Sequence, residues 1–262
     1  MVSDHNSSGD KSRHVLGRDD ARGLVVKAMT AMGNKTSSLS GTARNPQMHA
    51  ICDAFVDPDE QSRHQVIAAL LSHGMPEETL IDHVIPSTAA IMGDRWFANQ
   101  LSFAEVTIGA ARLQETVRAL RKRKPHPEIA DGDRILLVVP RIEHHTLGAF
   151  VATQQFRRLG VDVQICVGMY PRQIVQEVIK HRFPMVGITA AGRRSLASAR
   201  ELVDIIRTSV PRVTPIVVGG SVTALDLDIK ALTGCDYVCS DPKEVIRLCN
   251  LRASVHAESA DA

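Results

Sequence analysis

Apolar residues recur at helical spacing from Pro46 to Lys124 and in short β-rich runs from Asp131 onward, so the chain divides into a helical part and an alternating part. In the first, MHAICDAFV, HQVIAALL ending at Gly74, a run from Pro76 onward and a run from Ser102 to Arg123 predict four helices. Asp57 and Pro58 fit the N-cap and first position of the second helix, and Ser102 with Glu105 has the spacing of a capping box opening the fourth. Trp96 then falls in the loop before that helix, and Phe97 is expected to pack in the bundle. In the second part ILLVVP, VDVQICV, MVGIT, TPIVVGG and DYVC read as five strands. The helical runs that follow them reach Leu159–Gly160 and His181, then span Arg193 to Ser209, Thr223 to Leu232 and Lys243 to Leu251. Such alternation demands right-handed crossovers and a parallel sheet covered on both faces, with ligands beyond the strand C-terminal ends. The expected fold class is α/β, a flavodoxin- or Rossmann-like five-stranded parallel sheet preceded by a helical cap bundle.

The expected organisation is a flexible N-terminal extension over 1–45, the helical bundle over 46–125, the sheet domain over 130–254 and a flexible tail over 255–262. Within the extension, Leu24, Val25, Met29 and Met32 suggest one short amphipathic helix. The run Arg121, Lys122, Arg123 and Lys124, followed by Pro125, His126 and Pro127, marks the boundary, because basic residues suit a helix C-terminus and prolines stop it. A nucleic-acid patch is the sharper reading of those charges, but no aromatics are interleaved and no base-reading helix follows.

Composition narrows the function classes. With 31 Lys plus Arg against 29 Asp plus Glu, the net charge of +2 predicts no nucleic-acid affinity by itself. No helix-turn-helix, zinc-finger or basic-zipper pattern occurs, so specific DNA binding by this chain alone is not expected. No apolar stretch reaches the length of a membrane span. The opening MVSDHNSSGDKSRHVLGRDD has no apolar h-region, so no secretory signal is expected and the natural compartment is the cytoplasm. Five cysteines form no paired Cys-x-x-Cys sets, and Cys235 and Cys239 read as buried thiols rather than a metal site.

The loop after the first strand carries Arg141, Glu143, His144, His145 and Gly148 and lies at the switch point of a flavodoxin-like strand order. Neither a Gly-x-Gly-x-x-Gly fingerprint nor a Walker loop is present. A carboxylate two residues before an imidazole can accept one ring N–H and leave the other nitrogen to bind a metal, although a surface His pair at a helix start is the plain alternative. The third strand ends in Thr189, Ala190, Ala191 and Gly192, and the fourth in Gly219, Gly220 and Ser221. Side chains this small let backbone approach a bulky flat ligand, though Gly-Gly after a strand is also a common turn.

Taken together these segments resemble the cobalamin-binding family of methionine synthase and related corrinoid proteins, over about residues 60 to 252. The family's Asp-x-His-x-x-Gly motif resembles Glu143-x-His145-x-x-Gly148, which implies His145 as the lower axial cobalt ligand in place of the cofactor's own dimethylbenzimidazole. Its Ser-x-Leu segment, which lines the dimethylbenzimidazole pocket, is similar to Thr189-Ala190-Ala191, and its Gly-Gly segment to Gly219-Gly220. Gly93 to Phe97 with Phe103, Ala104 and Glu105 is similar to the cap that covers the upper cobalt face, which implies Trp96 there. Two departures are Glu143 where the family has Asp, and Val106-Thr107 where cobalamin photoreceptors with a related cap carry Glu-His associated with the adenosyl group.

The implied cofactor is cobalamin. No module that would activate a methyl donor or acceptor fits in the chain, so no enzyme activity of its own is expected. The stand-alone arrangement looks like the AerR/PpaA group of antirepressors of purple photosynthetic bacteria. That implies a light- or redox-responsive transcriptional regulator of photosystem genes, acting through a DNA-binding repressor of the CrtJ/PpsR type. The alternatives are a corrinoid methyl-carrier serving a separate methyltransferase, and a flavodoxin-like interaction module without cofactor.

Overall fold

The computed structural model describes residues 46–123, 131–210 and 214–254. The expected N-terminal helix, the prolines after Lys124 and the C-terminal tail lie outside the described residues. Two compact units divide the chain: Met1–Leu80 with Ser87–Gly109, and Ile81–Pro86 with Ala110–Ala262.

The helical segments are α1 (Pro46–Val56), α2 (Glu60–Ser72), α3 (Ile85–Phe97) and α4 (Phe103–Arg123). A single turn at Glu77–Thr79 and a π-helical turn at Leu80–Val84 lead into α3. The four predicted helical passages are therefore present, with corrections in their ends. Asp59, not Asp57, caps α2 by accepting the Gln61 N–H, while Asp57 accepts from Asp59 N and Ser62 Oγ, so the two carboxylates share the turn. Trp96 lies in the last turn of α3 rather than in a loop, because the helix runs on until Asn99, whose φ of 56° closes it. There the Gln100 N–H reaches back to Arg95 O at 2.7 Å. Phe97 does not pack in the bundle and is 89% exposed. The Ser102–Glu105 capping box forms reciprocally at 2.7 and 3.2 Å. In the same unit, Arg95 ties α3 to α1 through Asp53 at 2.6 Å, and Gly109 admits the Met92 side chain where any Cβ would meet its sulfur at 2.7 Å.

The second unit holds β1 (Arg134–Val139), α5 (Leu147–Arg158), β2 (Asp162–Val167), α6 (Pro171–His181), β3 (Val186–Thr189), α7 (Arg193–Ser209), β4 (Ile216–Gly219), α8 (Ile229–Thr233), β5 (Tyr237–Val238) and α9 (Pro242–Leu248). The strands form one parallel sheet in the order β2-β1-β3-β4-β5. Alternation along β1 explains the two covered faces. Leu136 and Val138 join a core with Ile174 of α6 and Leu196, Leu202 and Ile206 of α7. Ile135, Leu137 and Val139 point the other way, onto Ala149 and Phe156 of α5 and Val245 of α9. At β2 the Val163 N–H bonds to Asp162 and its C=O to Arg157, both at 2.8 Å, so side chains rather than another strand take up these groups.

One crossover differs from expectation. Instead of a helix from Thr223 to Leu232, a 3-10 turn at Ser221–Ala224 gives way to extended backbone at Leu225, and Asp228 then caps the five-residue α8 through Ala231 N. An Asx cap competes with a continuous helix there. The last helix also starts and ends earlier than expected, capped by Asp241 through Lys243 N. Cys235 is buried as expected, whereas Cys239 is partly exposed.

Phe183, only 1% exposed beneath the α6–α7 face, tests the core assignment. Phe183→Ala is expected to lower the unfolding free energy of the cofactor-free protein by about 3–5 kcal/mol in urea titration, and an unshifted midpoint would remove this side chain from the core.

Candidate cofactor site

In the order β2-β1-β3 the chain leaves β1 and β3 in opposite directions, so the loops after these neighbouring strands border the crevice where ligands of such sheets bind. The β1 loop turns sharply after Pro140, whose carbonyl accepts the Glu143 N–H at 2.9 Å. That turn directs Glu143 inward, where it is only 6% exposed, and leaves His144 and His145 outside. Thr146 precedes α5 but its hydroxyl does not cap the helix; it accepts Gln114 Nε2 of α4 at 2.7 Å.

The buried carboxylate is fully occupied. Its Oε1 accepts the His145 N–H at 2.8 Å and meets the His145 ring Nδ1 at 2.6 Å. Its Oε2 accepts the Ala191 N–H at 2.9 Å and a short bond from the Ser195 hydroxyl. Burial by itself raises this carboxyl's pKa, but the bonds from Ser195, the His145 and Ala191 backbones and the His145 ring outweigh it and hold it below the usual carboxylate value. An ionised carboxylate only accepts, so Nδ1 carries the proton and the lone pair of the neutral ring is on Nε2. No described residue pairs with that nitrogen, and the His145 side chain is 80% exposed. His144 has no such carboxylate contact among the described residues.

Glu143, His145 and Ala191 are thus joined by direct hydrogen bonds. Thr189 stands beside Gly219 in the β3–β4 register, and Ala190 N donates to Gly219 O at 2.9 Å. The two glycines have a reason the sequence did not reveal. An added Cβ at Gly219 would lie 2.7 Å from Cys239 O, and at Gly220, with φ of 101°, 2.5 Å from Ala190 O. They bring the protein's own backbones together. Gly148 is different: nothing lies within 4 Å of an added Cβ, so its surface is open. Trp96 belongs to the helical unit and is 51% exposed. Sequence reading missed Ser195. Its signal was a hydroxyl on the otherwise apolar α7 stripe of Leu196, Ala199, Leu202 and Ile206.

The donor set suits a corrinoid. A single directed imidazole nitrogen is what a macrocycle that brings its own equatorial nitrogens needs, and no group of three or more His, Cys, Asp or Glu side chains that could cage a bare ion occurs among the described residues. Exposed Ile142, Val167 and Tyr170 flank the loop, with Arg141 stacked on the Tyr170 ring at 4.4 Å, an amphipathic border for a flat ligand. Thiol chemistry is disfavoured: burial raises the pKa of Cys52 and Cys166, and raises that of Cys249 to about 11 with Asp236 and Cys239 adding to it.

Glu143→Gln places an amide among four donors, so the variant is expected to lose about 1–3 kcal/mol of cofactor-free stability in urea unfolding, with Ser195→Ala losing less. Equal stability of wild type and Glu143→Gln would contradict the buried network.

Residues 134–247 match the B12 binding domain family. A relative from Rhodobacter capsulatus, described as an uncharacterized 20.5 kDa protein in the bchF-crtJ intergenic region, is 30% identical over 174 residues, spanning 66% of this chain and 91% of the relative. The fold is shared with the monomethylamine corrinoid protein of Methanosarcina barkeri, at a TM-score of 0.63 and 15% identity, over 76% of this chain and 94% of that one. The cobalamin-binding character expected from the β1, β3 and β4 loops is thereby established: the chain belongs to the B12-binding domain family.

Proposed function

We propose that this protein is a cobalamin-dependent transcriptional antirepressor that responds to light or redox state and acts through a DNA-binding repressor of the CrtJ/PpsR type. The observation that carries the regulatory part is the Rhodobacter capsulatus relative, whose gene lies beside crtJ. The helical segments beside a B12-binding domain support a receptor that carries the cofactor.

His145 would hold the cobalt through Nε2, with Glu143 fixing the ring by accepting its Nδ1–H. Ser195 and Ala191 hold Glu143, so strain at Nε2 reaches the loop after β3 and the first turn of α7. Gly148, Thr189, Ala191, Gly219 and Gly220 would contact the cofactor, and Trp96 of the helical unit would respond to its exchangeable ligand. When bound, cobalamin supplies a cobalt whose upper ligand can be exchanged or lost. Through Trp96 such a change would shift the population of the partner-binding conformation.

His145→Ala is expected to change the visible spectrum of the protein loaded with hydroxocobalamin, whereas His144→Ala leaves it as wild type; the reverse pattern would move the ligand to His144. Trp96→Ala should keep the His145 spectrum and change the rate of upper-ligand exchange, and identical rates would exclude that role.

Linkage makes the partner step measurable from both sides. A repressor that prefers the loaded protein must tighten cobalamin binding by the factor with which cobalamin tightens repressor binding, typically about 5–150-fold. Cobalamin titrations with and without repressor, in dark and light, are expected to give different dissociation constants. Equal constants, or tight sequence-specific DNA binding by this chain alone, would reject the antirepressor. Methyl transfer from the loaded protein with a methyltransferase partner would instead favour the methyl-carrier.

A further inference from the structure

The α3–α4 corner of the first unit carries a cluster of exposed apolar side chains, Trp96 and Phe97 from the end of α3 and Phe103 and Ile108 from the start of α4. Phe103 is 75% exposed, yet Met92 and Leu101 are buried close by in sequence and the Ser102–Glu105 capping box holds the turn. The corner is therefore ordered, and a contiguous apolar patch on an ordered surface marks an interaction site. Its exposed charges are acidic, Asp94 and Glu105, since Arg95 is taken up by Asp53 at 2.6 Å.

The chain itself supplies a matching partner. Val25, Ala28, Met29 and Met32 recur at i, i+3, i+4 and i+7, with Leu24 adjoining, so residues 24–32 can present one apolar stripe. A helix that short is marginal in water and needs an apolar support. From 21 to 32 the charged residues are Arg22 and Lys27, opposite in sign to Asp94 and Glu105. The tether also fits. Residues 33–45, which include Gly33, Ser37, Ser38, Ser40 and Gly41, separate the stripe from Pro46 at the start of α1. A coil of that composition and length has an r.m.s. span of about 20 Å. Asp53, which holds the neighbour of Trp96, lies seven residues into α1, about 10 Å along its axis. Span and reach are of one order, the condition under which a tethered segment attains an effective concentration near millimolar.

We propose that the α3–α4 corner is the docking surface for the chain's own residues 24–32, which lay Val25, Met29 and Met32 across Trp96, Phe97 and Phe103. Any other apolar partner of Trp96 then competes with this segment. The inference goes beyond the antirepressor reading and does not depend on it, because it concerns the cofactor-free protein.

Trp96 is the one tryptophan of the chain, so its fluorescence reports this corner alone. Quenching by acrylamide is measured on the full-length, cofactor-free protein for wild type, for Val25→Asp with Met29→Asp, for Phe103→Asp, and for all three substitutions together. If the effective concentration is about twice the segment's intrinsic dissociation constant, about two-thirds of the molecules are docked, and loss of docking raises the quenching constant about threefold. The segment variant is expected to show that rise, Phe103→Asp to show it too, and the combination to rise no further, because both remove one contact. Equal quenching of wild type and the segment variant overturns the inference, and so do additive increases. Wild-type quenching that falls as protein concentration rises also overturns it, by making a second copy the occupant.

Discussion

The burial of one carboxylate organises the loops after β1 and β3. A buried carboxylate is tolerable only when its oxygens are hydrogen-bonded, and Glu143 can find enough donors only by drawing from two loops at once. His145 supplies a backbone and a ring N–H from the β1 loop, while Ala191 and Ser195 supply the rest from the β3 loop and α7. The two loops therefore cannot move independently without leaving an acceptor unpaired. The orientation of the His145 imidazole is a consequence of this satisfaction. The glutamate's extra methylene, relative to the family's aspartate, does not prevent the carboxylate from reaching both sets of donors.

The glycines after β4 extend the same logic to the backbone. Gly219 and Gly220 are required where loops of the protein touch each other, at Cys239 O and Ala190 O, rather than only where a ligand approaches. A close-packed set of loops costs little to hold in place once formed, and it presents its polar groups with little freedom to reorient.

The helical unit shows the opposite character at its α3–α4 corner. Trp96, Phe97, Phe103 and Ile108 all expose large apolar surface, yet Met92 and Leu101 nearby in sequence are buried and the capping box closes the start of α4. The corner is well formed and still apolar, which sets it apart from a frayed helix end.

The sequence alone determined the alternating architecture and the pairing of Glu143 with His145, because hydrophobic period and short-range spacing are local properties. It also placed the capping box at Ser102 and three of the four crossover helices close to their observed bounds. What it could not contain were relations between residues far apart in the chain. Ser195 meets Glu143 across 52 residues and Ser240 meets Gly220 across 20, distances at which no periodicity survives. The local errors have the same origin in competing short-range geometry: Asn99 let α3 run past Trp96, and Asp228 started α8 afresh. Tertiary structure decided these because a polar group chooses its partner only after burial has removed water as the alternative.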